Sequence, residues 1–396
     1  MIPFKDLETI YSNEQLFLLL ICRIYFSASY TADFDNFIAS HPQDWQLLYK
    51  MAKAHGIRPF VYHVMIKYNL AGDATFLSKL KKDNQIALQR NMMQAVVSSK
   101  LTNDLKKQGV TVINYKGSAL AAQYYENMGM RESVDIDLIA SRTDIAVIED
   151  YFIANGYIAR ETVPRRYLKF YKVFFKDIVY TLPKYNCNIE IHWSLLNRFT
   201  GNYPSFDFFK PHIRPLYQND TGCTVLSPAY DFLAIISNHL VKDMGTRFRY
   251  IIDIACIIKK HPELLTERDL LTVAGRYGFK KRLVNGLSVV SSLIGVAVGP
   301  YYSTEVTQEE LKIPLQYPIE LRNFQFNSIH FLKRSLSLQD NVKYKIGLLT
   351  RSFIYIFVPS YIDINTFCFP MYLFPLLVIL RPFRLLFEKV RRPAEK

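Results

Sequence analysis

Between Gly109 and Gly156 the chain spells strand, helix, strand, helix in fewer than fifty residues, and this stretch restricts the possible folds more than any other. Residues 110–115 (VTVINY) are a β-branched run between Gly109 and Gly117, which reads as a strand. Residues 118–125 (SALAAQYY) have helix-forming composition, with Ser118 at the cap position. A loop with Asn127, Gly129 and Arg131 leads into 134–140 (VDIDLIA). Alternation there puts Asp135 and Asp137 on one face and Ile136 and Leu138 on the other, the pattern of a half-buried strand. The next helix is capped by Ser141 or Thr143, carries Ile145, Ile148 and Phe152 on one stripe, and stops at Asn155-Gly156.

The flanks are helical. Trp45, Leu48, Met51, Ala52 and His55, then Phe60, Val64 and Ile66, recur at helical spacing, and no strand pattern interrupts the first hundred residues. Lys79, Lys81, Lys82, Arg90, Lys100, Lys106 and Lys107 read as a solvated face rather than a nucleic-acid stripe. Residues 171–182 read as a β segment, 183–186 as a turn, and 187–193 (CNIEIHW) as a returning strand. In that strand Ile189, Ile191 and Trp193 share one face, and Glu190 and His192 the other. From about 225 the pattern is helical again: Ser227-Pro228 starts a helix over 230–241, another covers 249–259, and more follow to about 349. The expected fold is α+β, a small mixed β-sheet core flanked by N-terminal and C-terminal helical regions. The divisions fall at 1–105, 106–222, 223–350 and an apolar, basic segment 351–396. There is no internal repeat and no long Gly/Ser linker, so the parts should pack together.

Composition narrows the classes. With 396 residues, 50% hydrophobic and 21% charged, the chain is neither collagen-like nor disordered. Five cysteines without CxxC spacing indicate no zinc knuckle and no disulfide framework, and fit a reducing, cytoplasmic compartment. A net charge of +14 favours anionic partners: phosphates, nucleic acid or acidic lipid headgroups. The apolar run 16–22 follows Asp6, Glu8 and Glu14 and is closed by Arg23, which suits an amphipathic helix better than a secretory signal. The longest apolar stretch, 366–380, contains Pro370 and Pro375 and falls short of the roughly 20 residues a spanning helix needs. Arg381, Arg384, Lys389, Arg391 and Arg392 follow it. Two expectations stand here: a buried terminal helix with a solvated basic end, or a segment lying peripherally on the anionic inner face of the cytoplasmic membrane.

Three features carry chemistry. At Lys116-Gly117-Ser118 the missing Cβ of Gly117 lets a phosphate approach the backbone, and a helix N-terminus offers free N–H groups. Asp135 and Asp137, about 7 Å apart along a strand face, are costly as a pair unless a cation sits there, which favours one or two Mg²⁺ ions. Glu190 on the later strand supplies a third carboxylate. Arg131, four residues before Asp135, could neutralise phosphate charge. His192 either bonds a nucleotide phosphate or the acceptor, orients Glu190, or is structural. In the helical part His239, Lys242, Arg247 and Arg249 form a polar series before Asp253. Arg249 and Asp253, an i,i+4 pair, read first as a helix-surface ion pair and second as an active-site wall contacting a triphosphate.

The strings NYKGSALAAQYYENMGMRESVDIDLIA, IEIHWSLL and DFLAIISNHLVKDMGTRFRYIIDIACIIKK, with the helical lead-in WQLLYKMAKAHGIRPF, resemble the bacterial family of uncharacterised nucleotidyltransferases within the polymerase-β-like superfamily. The resemblance runs from about Trp45 to Lys260. It implies that Gly117 and Ser118 bind the triphosphate of an NTP, that Asp135 and Asp137 bind two Mg²⁺ ions, and that Glu190 completes the metal site, with Mn²⁺ as a substitute. It also implies transfer of a nucleoside monophosphate to a hydroxyl acceptor, in a family often found in bacterial polysaccharide gene clusters. No RNA-binding module is visible, so nucleic acid is not expected as a partner. Two other readings remain at this point: a sugar-nucleotide glycosyltransferase using Asp135-Ile136-Asp137 alone, and a non-catalytic nucleotide-binding protein that docks on a membrane.

Overall fold

The computed structural model describes residues 1–218, 221–266, 268–317 and 329–391. Its centre is a five-stranded mixed sheet of β1 (Val112–Asn114), β2 (Asp135–Ala140), β3 (Ile158–Ala159), β4 (Asp177–Leu182) and β5 (Cys187–His192), in the order β1-β2-β5-β4-β3. β2 and β5 are parallel, and the other neighbours are antiparallel. The architecture is α+β, as the sequence pattern implies. Ile136, Leu138, Ile189 and Ile191 turn to one face of the sheet and form a small core with Ile145, Ile148 and Phe152 of the helix Ile145–Ala154.

A helix of 34 residues, Ala74–Lys107, ties this sheet to the rest. At 1.5 Å per residue it is about 51 Å long, enough to reach two cores. Val97, Leu101 and Leu105 pack in the sheet's core, whereas Phe76 and Leu80 belong to a larger helical one. That larger core holds Leu20 and Phe60 from the N-terminal region together with Phe232, Ile254 and Leu287 from the C-terminal region. The two helical flanks are therefore one apolar body applied to the sheet.

Several local expectations need correction. The helix Asn13–Phe26 is buried on nearly every side from Leu16 to Tyr25, so it is a core helix rather than an amphipathic one. Arg23, 1% exposed, is accommodated because its guanidinium donates to the carbonyls of Leu293 (2.7 Å) and Ile2 (2.9 Å). Residues expected to begin a strand at 171 belong instead to the helix Arg165–Phe174, whose Tyr167, Leu168 and Tyr171 are buried at helical spacing. The strand starts at Asp177. A further antiparallel hairpin, β6 (Ile213–Gln218) and β7 (Thr221–Leu226), crosses the expected boundary at 222. It rests on β1, where Thr224 donates its hydroxyl to the Val112 carbonyl and the Asn114 amide donates to the Thr224 carbonyl at 3.3 Å.

The C-terminal segment packs on the sheet domain through the helices Tyr361–Phe367 and Phe374–Arg391, which contribute Ile364 and Leu377 to the small core. Tyr167 donates its hydroxyl to the Phe369 carbonyl. The basic end is not simply solvated: Arg381 is 2% exposed and, with Arg384, binds the buried carboxylate of Asp363. The side chains of Lys389 and Arg391, and all of Arg392, lie outside the described residues.

One buried carboxyl gives the fold a pH signature. Asp231 is fully buried, and burial pushes it up to about 7, against the hydrogen bond from Tyr124, the Arg214 charge and the Gln123 amide. Between its unfolded value near 4 and this folded one, the native state holds a proton that the unfolded chain has lost. Stability from this group is therefore present at low pH and lost as pH rises through 7. Asp231→Asn should melt like the wild type near pH 4 and be more stable at pH 8, by roughly 4 kcal/mol. Thermal melts of both proteins at the two pH values measure the difference, and parallel curves would refute the assignment.

Candidate active site

Sheet register brings the acidic side chains together. β2 runs parallel to β5 with Asp137 opposite Glu190 and Asp135 opposite Asn188. Because faces alternate, the isoleucines and Leu138 enter the core while Asp135, Asp137, Glu190 and His192 project from the other side. One oxygen each from Asp137 and Glu190 and one ring nitrogen of His192 lie within 4.8 Å of one another. His192 Nε2 is 3.0 Å from Asp137 Oδ1 and 3.3 Å from Glu190 Oε2. Its Nδ1 is 3.5 Å from Asp177 Oδ2, on the register partner of His192 in β4. Nδ1 also lies 3.4 Å from the Lys176 ammonium, which itself pairs with Asp177. Asp135 stands beside the trio, accepting a hydrogen bond from the Asn188 amide at 3.1 Å.

This donor set fits a divalent cation. Ligand atoms about 2.1 Å from an octahedral ion lie about 3 Å from one another, which matches the spacings around His192. Carboxylates suit Mg²⁺ and Mn²⁺ alike, and the imidazole adds a donor that Mn²⁺ accepts more readily.

Electrostatics separate the three acids. Burial would raise Asp137, but the Lys116 ammonium and the His192 hydrogen bond outweigh it and hold the carboxyl well below the usual range. Glu190 is also lowered, the His192 hydrogen bond overcoming burial and the Asp137 charge. Asp135 is raised by burial and by the charges of Glu190 and Asp137, against the Asn188 hydrogen bond. His192 is lowered by burial and by the Lys176 charge, against its hydrogen bonds with Asp137 and Glu190.

The turn between β1 and the helix Gly117–Tyr124 closes over this cluster. Lys116 has φ +58°, a sparsely populated conformation for a residue with a Cβ. That backbone turns Nζ inward, 2.7 Å from Asp137 Oδ1 and 3.4 Å from Asn238 Oδ1. Gly117 follows at φ +49°, where a Cβ would meet the Asp135 carbonyl oxygen at 2.9 Å and Ser133 Oγ at 3.0 Å. Gly117→Ala should therefore destabilise the fold by about 1–3 kcal/mol and shift the turn off Asp135. A urea melt reads the first effect and nucleotide affinity the second, and an unchanged melt would show that the turn relaxes freely.

A cleft of about 290 Å³ opens in front of the cluster, lined on the sheet side by Lys116, Gly117, Asp135, Asp137 and Glu190. The opposite wall comes from the C-terminal helical region: Asn238, Lys242, Asp243, Arg247, Arg249 and Tyr250. The helix Pro228–Ile236 widens into a π-helical turn, Ser237–Lys242, a rare geometry that tends to occur at functional positions. Positive φ at Met244 (52°) and Gly245 (69°) then reverses the chain into the helix Phe248–Lys260, so cations flank the cleft on both sides of the reversal.

The structure places the sequence-derived candidates unevenly. Lys116, Gly117, Asp135, Asp137 and Glu190 meet in the cleft. Ser118 does not cap its helix: the chain enters at Lys116, leaving Ser118 in the first turn, where it borders a separate small cavity with Ser98 and Ser99. His192, 1% exposed, lies beneath the acids, so a contact with nucleotide or acceptor gives way to one with Asp137 and Glu190. Arg131 borders the cleft, but its guanidinium is 5% exposed and already spent. It pairs with Asp253 through Nε (2.8 Å) and Nη2 (3.0 Å) and donates from Nη1 to the Gly117 carbonyl at 3.1 Å. Asp253 is thus fully buried, also accepting from Tyr125 (2.5 Å) and bonding His239 (2.8 Å), and is no surface partner of Arg249. Arg249 lines the cleft instead, with Nη1 donating to the Glu132 carbonyl at 3.2 Å.

Sequence reasoning missed the residues that hold the loop before Asp135. Arg58 grips Glu132 with two hydrogen bonds of 3.0 Å, and the Asn91 amide donates to the carbonyls of Met128 and Arg131. An isolated Asn on a helix of otherwise ordinary pattern was the only available signal.

No curated protein matches the chain. Among solved structures, an antigenic nucleotidyltransferase-like protein from Paracoccidioides brasiliensis aligns over 52% of this chain and 93% of its own, with 13% identity and a TM-score of 0.32. The family model described as "Uncharacterised nucleotidyltransferase" matches residues 41–295, a span that contains the whole sheet, both walls of the cleft and the helices that hold them. The chain belongs to that nucleotidyltransferase family.

Proposed function

We propose that the protein transfers a nucleoside monophosphate from an NTP to a hydroxyl acceptor, using divalent cations held by Asp135, Asp137, Glu190 and His192. The observation that carries this reading is the parallel register of β2 and β5, which sets Asp137 against Glu190 at the floor of a cleft whose other wall is cationic. Bound there, Mg²⁺ or Mn²⁺ supplies Lewis-acid polarisation of the α-phosphate and charge neutralisation. The protein's own groups do the rest. Lys242, Arg247 and Arg249 bind the β- and γ-phosphates, and the Gly117 turn admits them close to the backbone. Lys116, paired with Asp137 at 2.7 Å, would turn its ammonium to the phosphate when Asp137 serves a cation. Glu190, ionised and more open to the cleft than Asp137, accepts the proton of the acceptor hydroxyl. Pyrophosphate leaves along the cationic wall. Five free cysteines support a reducing, cytoplasmic setting, and the family resemblance suggests a place in surface-polysaccharide biosynthesis while leaving the hydroxyl acceptor itself unassigned.

The test is direct. Protein incubated with each α-labelled NTP, Mg²⁺ or Mn²⁺ and a cell extract should label an acceptor and release pyrophosphate, and Asp135→Ala/Asp137→Ala should do neither. Equal labelling by the double variant would overturn the reading. The glycosyltransferase alternative uses Asp135 and Asp137 but leaves the register-paired Glu190 and the Gly117 turn without work.

A further inference from the structure

More than half of the large apolar side chains exposed among the described residues fall between 342 and 387, most of them on the helices Val342–Tyr355, Tyr361–Phe367 and Phe374–Arg391. They form stripes. On the last helix Leu376, Ile379, Phe383, Leu386 and Phe387 recur at spacings of three, four, three and one, with exposures of 42% to 68%. On the first, Val342, Ile346, Leu349 and Phe353 repeat the pattern, from 47% to 67% exposed, and Phe357 follows just past its end. The inner faces of the same helices are fastened: Asp363 holds Arg381 and Arg384, and the Arg381 guanidinium lies 5.1 Å from the Tyr355 ring centre, joining the first helix to the last. The apolar stripes are thus the outer surface of an ordered unit, not the core of an unfinished one.

We propose that this surface seats the protein on an anionic lipid bilayer, with the helices lying in the plane of the headgroups. Charge is one argument. From 342 to 391 the sequence has seven Lys or Arg, at 343, 345, 351, 381, 384, 389 and 391, against Asp363 and Glu388. Asp363 is buried and neutralised by its two arginines. Lys343 and Lys345 are exposed at the start of the striped helix Val342–Tyr355, where they can reach headgroup phosphates while Ile346 and Phe353 enter the acyl boundary. Shape is the other. No single helix among the described residues is long and apolar enough to cross a membrane, and the pair Tyr361–Phe367 and Met371–Phe387 bends by 116°. By length and composition the two could cross together, but Ile364, Leu377 and Arg381 on their inner face are buried against the protein, which holds the pair at its surface. The proposal is independent of the nucleotidyltransferase reading.

Full-length protein should co-sediment with phosphatidylcholine vesicles that contain phosphatidylglycerol, and at least about tenfold less with phosphatidylcholine alone or at high salt. Ile379→Glu/Phe383→Glu, on exposed positions, should keep the wild-type melting curve and lose vesicle binding by at least about tenfold. Lys343→Glu/Lys345→Glu should weaken binding only to the anionic vesicles. Wild type that stays in the supernatant with both lipids overturns the proposal. So does a wild-type dimer in sedimentation velocity that the Ile379/Phe383 substitutions dissociate without lipid, because the surface would then be covered by a second copy.

Discussion

Asp137→Asn is expected to lower nucleotidyl transfer by at least about 10³-fold, since a lost ligand removes several kcal/mol of transition-state stabilisation. Of the three carboxylates, Asp137 is the one with most of its surroundings committed to it: Lys116 at 2.7 Å, His192 at 3.0 Å and Glu190 across the register. An amide there offers one weak oxygen where an ionised carboxylate stood, and leaves the Lys116 ammonium without its counter-charge. Pyrophosphate release measures the turnover, and titration with Mn²⁺ followed by electron paramagnetic resonance measures the ion independently of chemistry. Loss of both is the expected result. Full activity in the variant would remove Asp137 from the mechanism. Glu190→Gln serves as the companion, because among the described residues Glu190 has no lysine within ion-pair reach and its replacement disturbs the fold less.

Asp253→Ala should cost about 3–5 kcal/mol of stability, the usual consequence of stranding one member of a buried ion pair. Asp253 is 0% exposed and Arg131 5%, so the guanidinium left behind has no water to turn to. The substitution also frees Tyr125 and His239, and slackens the hold of Arg131 on the Gly117 carbonyl. Urea unfolding of the two proteins gives the difference. Asp253→Asn removes the charge but keeps one acceptor oxygen, enough for Tyr125 on the Oδ1 side, and should fall between them. A loss below about 1 kcal/mol for Asp253→Ala would mean that the network adds nothing beyond an exposed pair. Because Arg131 links the helical body to the Gly117 turn, the less severe Asn variant should also bind nucleotide more weakly, by the displacement of Gly117.

What could be read from the sequence depended on whether a residue's role is local. Period-two alternation over 134–140 and 187–193 aimed Asp135, Asp137, Glu190 and His192 away from apolar faces, and β2 and β5 carry them that way. The glycine at the strand-to-helix junction was equally local, because its positive φ and missing Cβ follow from the turn itself. By contrast, 171–174 looked like strand because a run of tyrosine, valine and phenylalanine is ambiguous over so few residues, and the helix is decided by Tyr167 and Tyr171 packing in the small core. The hairpin over 213–226 gains its place only from contact with β1.

Arg131 and Arg249 show the boundary most clearly. Both are arginines near acidic residues in the sequence, and simple spacing paired Arg249 with Asp253 at i,i+4. The fold pairs Asp253 with Arg131, 122 positions away, because the helical body presses Asp253 against the loop where no water can compensate either charge. Arg249 is thereby left to the cleft. The sequence by itself determined the α+β class, the acidic strand face and the glycine turn, since each follows from backbone periodicity and steric limits within a few residues. Only the tertiary structure decided which cations face the cleft, which are consumed inside, and that His192 lies under the carboxylates. Those outcomes depend on burial, and burial is a property of what distant segments bring together.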